Sequence, residues 1–167
     1  MLELFSEVRR AWPAAKPLGV RLSVTDGVAG GWDIADSVAL ACELRALGCD
    51  YIAASSGGML PDQAISVRPG YQVPLSSRVR AEAHVATMAV GLITEPHQAE
   101  DILEAGDADF IALGRTMLAD PRWPWRAAAE LGVELPYPPQ YERTRRSIEA
   151  NFLHRAKFAS TLPNEGK

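Results

Sequence analysis

The stretch LGVRLSV at residues 18–24 decides the fold class, because its apolar side chains recur at every second position, as in a half-buried strand. Val20, Leu22 and Val24 fall on one face of this strand, where they can pack against helices. Arg21 falls on the other face. Burying a guanidinium there is costly unless an anion or a strong acceptor meets it. An internal carboxylate and a bound ligand would serve equally well.

A helix is predicted directly after this strand. Asp33 is a favoured N-cap residue, and Gly48 is a favoured helix terminator. The apolar residues between them recur at helical spacing: Ile34, Val38, Ala41 and Leu44.

The same alternation of strand and helix recurs along the chain. Further strands are predicted at 50–55 (DYIAAS), 87–93 (TMAVGLI) and 109–113 (DFIAL). Further helices are predicted over 2–12, over 76–84, from Thr94 to Gly106, and from an Asp120-Pro121 cap to Gly132. Four strand-then-helix units in succession predict an α/β fold with parallel strands and right-handed crossovers.

Two architectures satisfy such a pattern: an open doubly wound sheet and part of a (β/α)8 barrel. Three features favour the barrel. Small or polar residues follow the predicted strands at 55–58, Gly91 and 114–115, where barrel loops build sites. No G-x-G-x-x-G opens the first helix. Arg21 lies opposite the helix-packing aliphatic residues.

Composition narrows the functional classes. The 167 residues include 17 Lys and Arg against 21 Asp and Glu, a formal charge of -4 at pH 7. This balance predicts no nucleic-acid or membrane partner. Cys42 and Cys49 are too few for a disulfide framework or a zinc site, and we predict buried free thiols and no metal. With no signal peptide and no apolar run of about 18 residues, a cytoplasmic location is predicted.

Two glycines at predicted strand ends are candidates for anion binding. Gly91 and Gly114 lie 23 residues apart in consecutive units. Freed N–H groups before a helix bind anions, and barrels often hold a phosphate after strands seven and eight. Arg115 would add a charge-assisted contact. The spacing alone does not separate a phosphate site from glycines that merely turn the chain.

The remaining signals are weaker. The stretch 57–75 is long for a loop between a strand and a helix, and such loops are often functional. His84 and His97 are predicted at helix ends, in surface or capping roles. No Ser-His-Asp, H-E-x-x-H or Walker spacing is present.

Six motifs in order carry a family resemblance: LGVRLSVTD, DYIAASSGG, PGYQVPLSSRVR, AVGLIT, EDILEAGDADFIALGRTMLADPRW and PYPPQYER. Together they resemble the second half of the old yellow enzyme family, in particular its thermophilic-like bacterial ene-reductases. The resemblance covers about residues 1–143 and implies the C-terminal half, strands five to eight, of an FMN-containing (β/α)8 barrel. Residues 144–167 would form a C-terminal helical extension, either docked on a surface or solvated, with these residues at helical spacing: Ile148, Phe152, Ala156 and Ala159.

The resemblance implies roles for individual residues. Arg21 matches the arginine at the flavin N1–C2=O edge, where a guanidinium stabilises the negative charge of the reduced flavin. Ser56 and Gly57 match the turn beside the ribityl and phosphate end. Arg143 matches an arginine that reaches a neighbouring subunit's active site. The FMN phosphate cradle is matched by Gly91, Gly114 and Arg115.

The implied function is that of the C-terminal portion of an FMN-dependent oxidoreductase. NADH or NADPH would reduce FMN, and hydride would pass through the flavin N5 to an activated alkene or related acceptor. The family's acceptor-binding histidines (or His/Asn pair) and tyrosine donor come from the first four units, so this chain alone is expected to be inactive. Its partners would be FMN, a small-molecule acceptor, and a second copy or the missing half.

Three other functions stay open at this point. One is a reductase-like C-terminal domain of a fused flavin monooxygenase acting on aromatic acyl-CoA. Another is a noncatalytic half-barrel that assembles with a partner or binds phosphate. The last is a different phosphate-binding barrel, in which Arg21 would contact substrate. Fold alone does not separate them.

Overall fold

The computed structural model describes residues 1–58, 63 and 66–144. Its elements are α1 Leu2–Ala11, β1 Gly19–Ser23, α2 Ile34–Ala46, β2 Tyr51–Ser55, α3 Val73–Ala83, β3 Ala86–Ala89, α4 Pro96–Glu104, β4 Phe110–Ile111, α5 Arg115–Ala119, α6 Trp123–Glu130 and a 3-10 helix, Pro139–Thr144. Among the described helices, none is both long and apolar enough to span a bilayer.

The strands form one parallel sheet in the order β1-β2-β3-β4. A doubly wound sheet reverses its strand order at a switch point. The described strands follow chain order without a reversal, as neighbouring strands of a barrel do. The predicted α/β class with four parallel strands is therefore confirmed.

The apolar core lies on one face of the sheet. Leu22 and Val24 are buried there together with Ile52 of β2, as the alternation at 18–24 predicted. Three helices contribute to the same cluster, through Phe5 of α1, through α2, and through α3. The α2 and α3 members of the cluster are Ala41, Leu44, Val79 and Ala83.

Helix α2 begins and ends where its sequence predicts. The Asp33 carboxylate accepts hydrogen bonds from the N–H groups of Ala35 at 2.7 Å and Asp36 at 3.1 Å. The Asp36 carboxylate accepts one in return from the Asp33 N–H at 3.1 Å, which completes a capping box. Gly48 follows the helix with φ +87°, a conformation that favours glycine.

Other element boundaries differ from the prediction. Helix α3 begins at Val73 rather than at residue 76, because Pro74 is well suited to a first helical turn. Strand β3 ends at Ala89, two residues before Gly91, whose φ of +119° cannot continue a strand. Strand β4 contains only two paired residues, Phe110 and Ile111.

The predicted Asp120-Pro121 cap is wrong by two residues, and the five-residue helix α5 was not predicted. The N-cap of α6 is Arg122. The Asp120 carboxylate accepts the Arg122 N–H at 3.1 Å, and its carbonyl accepts the Trp123 N–H at 3.0 Å. Asp120 therefore forms a turn before the helix, because a short acidic side chain caps a turn as readily as a helix.

The cysteines and histidines lie near helix ends or in helices. Cys49 is buried, and burial raises the pKa of its thiol. Cys42 is exposed, so the prediction that both thiols are buried is wrong for Cys42, which lies on the outer side of α2. His84 caps the C-terminus of α3 with φ +51°, and His97 is exposed in the first turn of α4.

The chain divides into two compact units. The first holds residues 1–94 and 98–113 and contains the whole sheet, and the second holds 95–97 and the chain from Gly114 onward. The division predicted between residues 143 and 144 stays a prediction. The predicted helix in the extension and His154 lie outside the described residues.

The sheet has two outer strands, and the apolar core of the first unit lies on one of its faces; within that unit the opposite face is called the uncovered face. Among the described strands, β1 pairs only with β2, and β4 pairs only with β3. On the uncovered face Phe110 is 49% exposed, and Tyr51 contacts it edge-on with ring centroids 6.2 Å apart. Unpaired strand edges beside exposed apolar surface favour pairing with another chain.

We predict that the isolated chain associates, with strand edges pairing between copies. Sedimentation velocity at micromolar concentration should give a species larger than a monomer. Phe110→Lys, at the exposed position of the short outer strand β4, should shift the distribution towards monomer, because charge on an edge strand opposes pairing. A single monomeric boundary for the natural sequence would contradict the prediction.

An ion pair joins α3 to the start of β4. Arg80 Nε donates to Asp109 Oδ2 at 3.0 Å, and the Thr87 N–H donates to the same oxygen at 2.9 Å. Arg80 Nη1 also donates to the Gly106 carbonyl at 3.0 Å. Burial opposes ionisation of Asp109, but these hydrogen bonds outweigh it and hold the pKa of the carboxyl below its ordinary value.

Replacing Asp109 with Asn should therefore lower the melting temperature at neutral pH. A depressed carboxyl pKa contributes stability that is fully present above the unfolded value of about 3.9 and is lost as pH falls through the folded pKa. The difference in melting temperature between the two proteins should shrink over that acidic range. Asp101→Asn, at an exposed position of α4, is the control. A pH-independent difference would refute the assignment.

Candidate functional site

Arg21 is an unpartnered cation on the uncovered face of the sheet. It is exposed and makes no hydrogen bond or ion pair with any residue in the described part of the chain. The sheet register aligns it with Ala53, Met88 and Phe110 in one row across the four strands. The predicted face is correct. The interior carboxylate that could have neutralised Arg21 is not found among the described residues.

Ser56 and Gly57 follow the carboxyl end of β2, as predicted. The Ser56 N–H donates to Gln72 Oε1 at 2.5 Å, and the Ser56 hydroxyl donates to the same oxygen at 3.2 Å. Gly57 has φ +77°, which turns the chain directly after the strand. Ser55 donates from its hydroxyl to the Leu22 carbonyl at 3.0 Å, which ties the ends of β1 and β2 together.

The side chain that organises this region is Gln72, which the sequence analysis did not single out. It is 4% exposed, and its Nε2 donates to the Val90 carbonyl at 3.2 Å while its Oε1 accepts from Ser56. One buried amide therefore joins the residues that follow β2 and β3. A glutamine after Pro-Gly-Tyr carries no periodicity that would predict its burial.

Gly91 lies against Gln72. A Cβ on Gly91 would stand 2.7 Å from Gln72 Nε2 and 3.1 Å from a ring carbon of Tyr71. The Gly91 carbonyl accepts the Gly70 N–H at 2.9 Å. Glycine is required here by close packing as well as by its positive φ. This packing explains the residue without a ligand, so a phosphate role for Gly91 rests on other grounds.

Gly114 and Arg115 lie in the second unit. Gly114 is the N-cap of α5, and a Cβ on it would meet no atom within 4 Å. Arg115 is the first residue of α5 and is exposed. Helix α5 has only five residues, so its dipole adds less to an anion site than that of a long helix would.

Arg143 lies in the 3-10 helix of the second unit, next to a cluster of rings. The Arg122 guanidinium lies 4.8 Å from the Trp125 ring centroid and 4.6 Å from that of Tyr141. The Trp125 ring also contacts Tyr137, with centroids 4.6 Å apart. Cation–π and ring contacts therefore fix the segment two residues before Arg143.

The predicted site residues thus divide between the two units. Arg21, Ser56, Gly57 and Gly91 belong to the first unit, and Gln72 links two of its loops. The second unit contains Gly114, Arg115 and Arg143. In the described ranges, no group of three His, Cys, Asp or Glu side chains is arranged to hold a metal ion.

Comparison with known proteins gives the family. Residues 1–134 match the model of the NADH:flavin oxidoreductase / NADH oxidase family. The chain belongs to this family. The resemblance that the six motifs predicted, to the old yellow enzyme family, is thereby confirmed.

Curated relatives of this flavin oxidoreductase family are bacterial. NADPH dehydrogenase of Halalkalibacterium halodurans is 45% identical over 141 residues, and NADPH dehydrogenase of Bacillus subtilis is 43% identical over 141 residues. Each alignment covers 84% of this chain and 41% of the relative. The chain therefore spans 41% of the length of these relatives.

A solved structure supports the fold of this family member. The complex of 2-naphthoyl-CoA reductase with 2-naphthoyl-CoA superposes with a TM-score of 0.68 at 23% identity. The match covers 79% of this chain and 20% of that chain. At this identity the likeness concerns the fold alone.

Replacing Gln72 with Met should lower the free energy of unfolding by about 1–3 kcal/mol. Methionine keeps the length of the side chain but leaves the Ser56 N–H and the Val90 carbonyl without their partner, and a buried unsatisfied group costs about that much. Urea denaturation followed by circular dichroism measures the change. Gln140→Met, at an exposed amide, should alter it little. Equal stability of the Gln72→Met protein and the natural protein would contradict the assignment of Gln72 as the side chain that joins the two loops.

Proposed function

We propose that this chain is a portion of an FMN-dependent oxidoreductase that takes electrons from NADPH or NADH and reduces an activated alkene or related acceptor. The observation that carries the proposal is the unpartnered Arg21 guanidinium on the uncovered sheet face. The family description names a flavin, and the curated relatives are named NADPH dehydrogenases. The chain spans less than half of those relatives, so the activity of the whole protein is part of the proposal.

Arg21 fits the pyrimidine edge of a flavin. A cation on β1 without a protein counter-charge is suited to an electron-rich group, and small side chains beside it leave room for a flat ring. Ala53 is its partner in the register on β2, and Ser23 lies two residues further along the same face. The guanidinium would donate hydrogen bonds to the ring's N1 and C2 carbonyl and oppose their protonation.

The phosphate end of FMN would be held at the carboxyl ends of β3 and β4. Gly91 and Gly114 would offer backbone N–H groups, and Arg115 a charge-assisted contact. Ser56 and Gly57 would line the ribityl chain. The open space beside Gly114 and the exposure of Arg115 support this assignment.

The chemistry of the proposed reaction comes from the cofactor: bound FMN would carry hydride from NAD(P)H to the acceptor. The residues of this chain would bind and orient it and stabilise charge. Arg143 would reach the active site of a neighbouring copy, from a segment that the Arg122–Trp125–Tyr141 contacts hold in place. Neither His84, a helix cap, nor His97, an exposed first-turn residue, is assigned to the acceptor. By the resemblance, the acceptor-binding histidines and the tyrosine donor belong to the first four units, so this chain alone is expected to be inactive.

FMN binding tests the proposal directly. Purified chain mixed with FMN and passed through a desalting column should retain the visible absorbance of bound flavin. Arg115→Gln should weaken FMN affinity about tenfold or more, because a hydrogen bond to a charged group contributes about 1.5–3 kcal/mol. Arg78→Gln should bind as the natural chain does, since Arg78 pairs with Glu82 on the exposed side of α3. A colourless protein that takes up no FMN would favour the noncatalytic assembly module instead.

A further inference from the structure

A small polar pocket lies where the loops after β1 and β2 meet. Its volume is about 190 Å³, and Thr25 and Ser56 line it close to the strand ends. Ser66, Arg68 and Tyr71 line it from the loop that precedes α3. In barrels this edge of the sheet, at the carboxyl ends of the strands, is where ligands bind. Ser66 and Arg68 lie outside the six motifs, and the FMN assignment uses none of Ser66, Arg68 and Tyr71.

Three of these side chains lack a partner within the described part of the chain. Arg68 is exposed, and it makes no hydrogen bond or ion pair there, nor do Ser66 and Tyr71 with their hydroxyl groups. Two other arginines of the first unit form ion pairs: Arg9 pairs with Asp50, and Arg80 pairs with Asp109. Among the described residues, Arg68 is therefore a cation that lines a pocket without forming an ion pair.

Of the remaining polar side chains in the lining, Ser56 and Gln63 already bond neighbouring groups, and Thr25 has a hydroxyl proton available. Thr25 Oγ1 accepts the Gly27 N–H at 3.1 Å, so its hydroxyl proton is free to point into the pocket. No carboxylate side chain is among the lining residues that the structure describes. One guanidinium and several hydroxyl groups around a pocket whose described lining holds no acidic side chain form a site for an anion.

The volume of the pocket and the number of its hydrogen-bond donors indicate which kind of anion it suits. Sites for whole small molecules have volumes of about 300–1,000 Å³, so a pocket of about 190 Å³ suits the charged end of a larger molecule. A carboxylate has two oxygens, whereas a phosphate monoester has three terminal oxygens and nearly two charges. The guanidinium fork and the hydroxyl groups of Thr25, Ser66 and Tyr71 match the larger number of acceptors.

We propose that this pocket binds a phosphate monoester carried by the reductant or the acceptor, with Arg68 as its principal ligand. The inference rests on the proposed function for the identity of the carrier. Two molecules offer this chemistry: the adenosine 2′-phosphate of NADPH and the 3′-phosphate of a coenzyme A thioester. The pocket would then favour NADPH over NADH in the first case, and a thioester acceptor in the second.

Calorimetric titration of the full chain, with and without added FMN, tests the proposal. The probes are adenosine 2′,5′-bisphosphate and coenzyme A, each with a partner lacking one phosphate: adenosine 5′-monophosphate and dephospho-coenzyme A. One of the two phosphorylated probes should bind at least tenfold more tightly than its partner. Arg68→Gln should weaken that probe by tenfold or more, which is the range of charged hydrogen bonds. Arg78→Gln is the matched control.

The outcomes show which molecule carries the phosphate, and they test the pocket proposal and the flavin proposal separately. Preference for the bisphosphate identifies the reductant, and preference for coenzyme A identifies the acceptor; both support the pocket. If a probe binds but FMN does not, the pocket proposal is supported and the flavin proposal fails. If FMN binds but neither probe does, only the pocket proposal is overturned. If Arg68→Gln does not fold, Ser66→Ala should weaken the same probe a few-fold. Binding of inorganic phosphate without either probe, or equal affinity in the Arg68→Gln protein, overturns the inference.

Discussion

The one-directional winding of the sheet determines most of what this chain can do. Each parallel crossover returns the chain to the next strand in order, so the crossover helices α2 and α3 share one face with the apolar core, and α1 adds Phe5 to it. On the opposite face Arg21 is exposed and lies in register with Ala53, Met88 and Phe110. An exposed cation beside exposed apolar surface is unusual on a folded protein. Such a surface is suited to contact with a flat, electron-rich ligand or with further strands.

A second constraint acts where the strands end. The Gln72 amide accepts from Ser56 and donates to the Val90 carbonyl, so one side chain fixes the loops after β2 and β3. Gly91 has no side chain because Gln72 occupies that space. The loop between β2 and α3 also places Arg68 near the carboxyl ends of the strands. The uncharged Gln72 side chain therefore supports both the proposed flavin contacts and the proposed phosphate pocket.

Local signals in the sequence predicted the local structure well. The strand face of Arg21 and both ends of α2 follow from side-chain period, from the Asp33 capping box and from Gly48, which act within a few residues. The burial of Gln72 depends on contacts with residues 16 and 18 positions away, which no local pattern records. Asp120 was misassigned because its side chain caps a turn and a helix equally well, and only the surrounding chain decides between them.

The reduction potential of bound FMN tests the central claim most directly. In this account Arg21 stabilises the electron-rich form of the cofactor, so an Arg21→Met protein loaded with FMN should have a midpoint potential lower by about 30–60 mV, the equivalent of one charged hydrogen bond for a two-electron couple. Arg21→Lys keeps the positive charge without the planar guanidinium. Its FMN midpoint potential should lie between those of the natural protein and the Arg21→Met protein. An Arg21→Met protein that binds FMN with an unchanged midpoint potential would contradict the account.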